Sequence, residues 1–183
     1  MRSALPDVAR LRIAVFREWP YLYDGDMSYE EAYLGPFADS ANALVVGAFD
    51  GPRLVGASNA APLVDHADDF ASAFSKTNLD LETIYYGAES VLLPAYRGRG
   101  IGHRFFDARE VHARARGFAH VAFCAVIRSQ DHPAKPEGYH SLEPFWRGRG
   151  YAPLDGVIAQ FAWKDLGDDG ETHKPLQFWM KTL

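Results

Sequence analysis

Apolar side chains recur along this chain with two periods, and the switches between them mark its elements. Val8, Leu11, Val15 and Trp19 share one helical face, with Pro6 and Asp7 suited to a first turn and Pro20 to a stop. Ser28-Tyr29-Glu30-Glu31 opens a second, short helix. Two apolar runs, 43–49 and 53–58, flank Asp50-Gly51-Pro52 and predict a hairpin. Residues 62–83 exceed what a strand connection needs, and Phe70, Ala73, Phe74 and Thr77 mark a helix there, read as an insertion. Ile84 to Leu93 predicts a strand with a bulge near Gly87. Phe105, Ala108, His112 and Ala115 then form one stripe of a helix that Gly117 ends. The run from His120 to Ile127 is apolar enough for a buried parallel strand. A polar loop spans 128–140, and a short helix from Ser141 ends at Gly148 or Gly150. Val157 to Trp163 and Leu176 to Met180 predict two last strands around an acidic loop. The order ααββ(α)βαβαββ describes a mixed sheet with helices on both faces, an α/β or α+β sandwich.

The turn before the central helix carries the chemistry. Arg97-Gly98-Arg99-Gly100-Ile101-Gly102 places three glycines in five positions, which lets the backbone take positive φ and approach a ligand. The first amides of a helix have no partner inside it, and the dipole there favours an anion, most often a phosphate. From Arg97 to Arg116 six arginines stand against Asp107 and Glu110. A P-loop would need Lys-Ser/Thr after the second glycine, and none follows. A dinucleotide fold would close its next strand with a carboxylate, where this chain has Arg128. A second Arg-Gly-Arg-Gly, at 147–150, follows a helix and leads to no other, so its glycines suit a C-cap.

Leu93-Pro94-Ala95-Tyr96-Arg97-Gly98-Arg99-Gly100-Ile101-Gly102 closely resembles the acetyl-CoA signature of the GNAT superfamily of N-acetyltransferases. The resemblance implies a single domain over 1–183, with a mixed, mostly antiparallel twisted sheet of about six strands and a central parallel pair splayed around acetyl-CoA. Only five residues precede the first helix, where the family's usual first strand would lie, which leaves that strand in question. Acetyl-CoA would lie against Val91, Leu92 and Leu93, with its pyrophosphate on Arg97, Gly98, Arg99, Gly100, Ile101, Gly102 and His103. The Leu92 amide would hold the thioester carbonyl and its oxyanion. The acyl acceptor would meet Trp19, Tyr21 and Tyr23, with Arg17 nearby, and the 62–83 insertion is a candidate lid over it. Glu89 is the first candidate base, ahead of Asp131 and His132. Phe145-Trp146 to Tyr151 resembles the family's Phe-Tyr-x-x-x-Gly-Phe segment, but Trp146 replaces the tyrosine that serves as acid. An indole cannot take that role, so Tyr139 or His140 becomes the candidate acid and Trp146 a wall of the acyl pocket.

Composition narrows the setting. Residues 1–90 hold 6 Lys+Arg against 14 Asp+Glu, and residues 91–183 hold 13 against 10. So acidic a first half argues against nucleic acid and suits an amine substrate. No apolar run approaches the roughly 20 residues of a membrane span, and neither a signal-peptide shape nor metal-ligand spacing is present. The one cysteine, Cys124, sits mid-strand, where a buried inert thiol and a reducing cytoplasm are expected. Two readings stand at this stage. One is an acetyl-CoA-dependent N-acetyltransferase acting on a small or peptide amine, compatible with a homodimer. The other is a non-catalytic acyl-CoA-binding module, motivated by Trp146.

Overall fold

The computed structural model describes residues 5–183, apart from the side chains of residues 36–39 and 67–69. Helix α1 (Leu5–Phe16) turns its buried Val8, Ala9 and Leu11 inward and ends before Pro20. The segment after it forms turns, and α2 (Met27–Asp39) is a full 13-residue helix, not a short one. Asp26 begins it by accepting from the backbone amides of Ser28 and Tyr29. Strands β1 (Leu44–Asp50) and β2 (Arg53–Pro62) form the expected hairpin. The next segment carries α3 (Ala67–Phe74), followed by β3 (Ile84–Leu92), α4 (Ile101–Ala115) and β4 (His120–Val126). Helix α5 (Glu143–Gly148), β5 (Ala152–Trp163) and β6 (Thr172–Thr182) complete the chain.

The six strands form one sheet in the order β1-β2-β3-β4-β6-β5. Only β3 and β4 run parallel, and they pair over a short stretch, from Ile84↔His120 to Tyr86↔Ala122. Beyond it β3 stays with β2 while β4 stays with β6, so a gap opens between them.

Helices cover both faces. On one, Phe70 and Phe74 of α3 stand edge-on to Phe178, with ring centroids 5.1 and 4.8 Å apart. These two side chains are almost fully buried, so α3 is a core layer and not the free lid anticipated from length alone. Also on that face, α1 and α2 set Val8, Leu11 and Leu34 against Ala57 and Val91. The other face packs Phe106 and Ala113 of α4 on Tyr85, Val121 and Phe123.

The inward stripe of α4 departs from the anticipated one. Phe105, Phe106, Arg109, Glu110 and Ala113 are buried, whereas Ala115 is exposed. The Arg109 guanidinium lies 4.2 Å from the Phe106 ring centroid and fills the space beside Gly87. A Cβ on Gly87 would stand 2.5 Å from Arg109 Nη1, so a side chain at that strand position would push the guanidinium aside. Glu110 is buried because Arg149, Lys181 and Tyr151 all donate to it.

Candidate active site

A bulge in β3 builds the site. Ala60 pairs with Gly87 and Asn59 with Glu89, which leaves Ala88 as an extra residue. Strict alternation would put Ala88 and Ser90 on the face of Tyr86. The extra residue brings Glu89 there too, so that Tyr86, Ala88 and Glu89 line one cavity of about 100 Å³.

Glu89 is buried and forms an ion pair with Arg12 Nη1. Arg12 in turn donates its Nε–H to Glu30 Oε2, so one guanidinium stands between two carboxylates. The rings of Phe16 and Tyr33 flank it at 5.0 and 4.4 Å from their centroids. Arg12 and Glu30 escaped the sequence reading, because a charged residue in a helix pattern is normally solvated. The walls are largely aromatic: Tyr21, Tyr23, Tyr86 and Trp163 contribute, beside Cys124. Burial pushes the Cys124 thiol up to about 12, and Tyr86 Oη lies 3.4 Å from its sulfur. Burial likewise keeps the Tyr21 phenol protonated, as do burial and the nearby Glu30 for Tyr23.

Arg128 fixes the Tyr21 wall. Its guanidinium forks onto Asp165 at 2.6 and 2.9 Å and also donates to the carbonyls of Pro20 and Tyr21. The bend after β4 is thereby tied to the turn after α1.

The opposite mouth of the gap is built from backbone. The Leu93 amide bonds the Val55 carbonyl at 3.0 Å, and such bonds alternate along an antiparallel pair. The Leu92 amide is therefore turned away from β2, into the gap between β3 and β4. At the start of α4, Arg104 is the first residue to bond within the helix, to the Gly100 carbonyl at 3.3 Å. The amides of Ile101, Gly102 and His103 are left without intrahelical acceptors. Gly100 takes φ +77° with nothing within 4 Å of a would-be Cβ, so glycine serves backbone shape and access there. This amide nest fits a pyrophosphate. The arginines fold back onto the protein. Arg97 pairs with Glu18 at 2.9 Å, and Arg99 donates to the Ala95 carbonyl and lies over the Tyr96 ring. His103 meets Phe145 and Arg149.

Other anticipated residues lie elsewhere. Trp19 is not part of the cavity lining; it stacks near His132 and Tyr139, with centroids 5.0 and 6.1 Å away. The fold therefore groups Tyr139 with Trp19 and does not bring it to Glu89, because the 127–142 loop closes over the turn after α1. Asp131 and His140 are exposed. Trp146 packs between Phe123 and Trp179 on the α4 face, away from Glu89, so it is core there and not a wall of this cavity. Arg17 pairs with Asp24 at the surface.

Comparison with known proteins converges on one family. The model of the acetyltransferase (GNAT) family matches residues 8–136, a span that contains the bulge, the nest and Glu89. The chain belongs to the GNAT acetyltransferases. This GNAT protein is an acyltransferase of the N-acetyltransferase type, and enzymes of its family act on amines in general. Its fold is similar to the ribosomal-protein-alanine N-acetyltransferase of Brucella melitensis, with a TM-score of 0.64 at 13% identity over 100% of this chain and 96% of that one. The GCN5-related N-acetyltransferase of Kribbella flavida gives 0.60 at 14% identity, over 99% and 93% of the two chains. The PaiA N-acetyltransferase of Thermoplasma acidophilum, solved in complex with coenzyme A, gives 0.57 at 13% identity, over 100% and 94%. No curated protein matches the GNAT chain by sequence. Among its described residues, no helix is long and apolar enough to cross a membrane, and no group of His, Cys, Asp and Glu is arranged to hold a metal ion.

Proposed function

We propose that the chain transfers an acetyl group from acetyl-CoA directly to a primary amine of a small molecule or peptide. One observation carries this reading: the Leu92 amide opens on the gap between β3 and β4, with the α4 amide nest at one side and the Glu89 cavity at the other. The amides of Ile101, Gly102 and His103 would hold the pyrophosphate, and that of Leu92 the thioester carbonyl. Acetyl-CoA supplies an activated acyl group when bound.

The protein's own contribution is positioning and proton removal. An ammonium has no lone pair, and Glu89, held in place by Arg12, accepts its proton within the cavity. The neutral amine is then confined beside the gap, where much of the rate gain is orientational. An indole does not donate a proton at neutral pH and Tyr139 packs on Trp19, so the reading assigns the leaving thiolate no side-chain acid from either. Cys124 holds its proton at neutral pH, which supports direct transfer over an acyl-cysteine route.

The test is thiol release from acetyl-CoA across a panel of primary amines, with mass spectrometry of the products. Amine-dependent release with acetylated product is expected. Thiol release without any acetylated amine would overturn the proposal.

A further inference from the structure

The cavity also carries information about which amine it takes. Arg12 and Glu89 line it and Glu30 holds Arg12 from behind, so the three leave a formal surplus of one negative charge inside the protein. The Glu89 Oε1 atom has no hydrogen-bond partner, although the residue is only 6% exposed and lines the cavity. A buried carboxylate oxygen without a donor is costly, and a ligand that brings a charged N–H donor relieves that cost. Nearby positive groups do not supply it. Arg128 and Lys174 are engaged by Asp165 and by backbone carbonyls, and neither lines the cavity. The remaining walls are mainly aromatic rings, which attract a cation by their faces and shelter an apolar body.

Resting on the acetyltransferase reading, we infer that the acceptor is a small monocationic primary amine with an aromatic or alkyl body and no carboxylate of its own. The ammonium sits against Glu89 and completes the charge balance of the Arg12 cluster. Glu89 then takes one N–H proton, becoming a neutral acid, and the freed lone pair attacks the thioester carbonyl. The C–N bond forms as the C–S bond breaks, coenzyme A leaves as the thiolate, and the second N–H proton passes to that sulfur. An amino acid or acidic peptide would add a third carboxylate to those of Glu30 and Glu89, and like charges so placed are strongly disfavoured.

The experiment compares phenethylamine with phenylalanine, and hexylamine with 6-aminohexanoate, at saturating acetyl-CoA. N,N-Dimethylphenethylamine, a tertiary ammonium that keeps one N–H but cannot give an amide, serves as a competitor. The carboxylate-free member of each pair should show a kcat/KM at least about 100-fold higher, since several kcal/mol of repulsion spans about two factors of ten. The tertiary cation should inhibit competitively against the amine, and Glu89→Gln should weaken that inhibition at least about tenfold. Inhibition of the unmodified enzyme stands even where the variant misfolds. Equal or better rates with the carboxylate-bearing partners, or no turnover of any monocation and no competition, would refute the inference. Calorimetry with acetyl-CoA separates the two levels. If the cofactor binds and the cation preference is absent, only the substrate class is wrong; if the cofactor does not bind, the underlying reading fails.

Discussion

Arg12→Met tests the charge cluster most directly, because it keeps an apolar stem in place and deletes only the guanidinium. The side chains of Arg12, Glu30 and Glu89 are 8%, 0% and 2% exposed, so solvent cannot take over when the partner is lost. Removing one partner of a buried ion pair typically costs about 3–5 kcal/mol, and here two carboxylates lose the same partner. The contacts with Phe16 and Tyr33 add up to about 2 kcal/mol if desolvated cation–π attraction is fully lost. Against a total stability of roughly 5–15 kcal/mol, the variant should be marginal but measurable by urea unfolding. Glu30→Gln alone should cost less, since Arg12 keeps Glu89. Combined with Arg12→Met it removes a carboxylate that would otherwise be stranded. The double variant should therefore be more stable than the sum of single effects allows, by a coupling of about 1–3 kcal/mol. The reasoning fails if Arg12→Met costs under about 1 kcal/mol, or if the two changes add within about 0.5 kcal/mol.

Gly100→Asp should fold with some loss of stability, since φ +77° strains any side chain, aspartate less than most, and its Cβ meets nothing; it should lower acetyl-CoA affinity in calorimetry at least about tenfold by placing a negative charge at the nest. Unchanged affinity would remove the nest from the cofactor site. Cys124→Ala should keep most of its turnover with a modest loss of stability, and a dead but folded variant would argue for an acyl-cysteine. Asp165 gives a pH prediction. Burial acts to raise its pKa, but Arg128 and Lys174 outweigh burial and hold it below the usual 3.8. A depressed carboxylate stabilises the fold above its unfolded pKa, and that stability is lost as pH falls through its native value. Arg128→Met should lower stability at neutral pH and flatten the further loss on acidification below about pH 4, read from urea midpoints. An acid slope as steep as in the unmodified protein would refute this.

The strand, turn and helix from Ile84 to Gly117 could be read from the chain because their causes are local. An apolar run, glycines at positive φ and unpaired helix amides all act within a few residues of one another. The bulge near Gly87 was legible for the same reason, though not that it turns Glu89 onto the face of Tyr86. The sequence could not show that the Arg109 guanidinium packs over Gly87, since polarity assigns an arginine to solvent until a Phe106 ring and a strand backbone are found to enclose it. Nor could it join Arg12, Glu30 and Glu89, which come from α1, α2 and β3 and acquire meaning only when the helices pack on the sheet. Tyr139 and Trp19 show the same limit from the other side. Their residue types suited an active site, but the loop after β4 folds them onto each other. Local chemistry fixes backbone shape over a turn or two, whereas the partner of a buried charge is chosen by packing between distant elements.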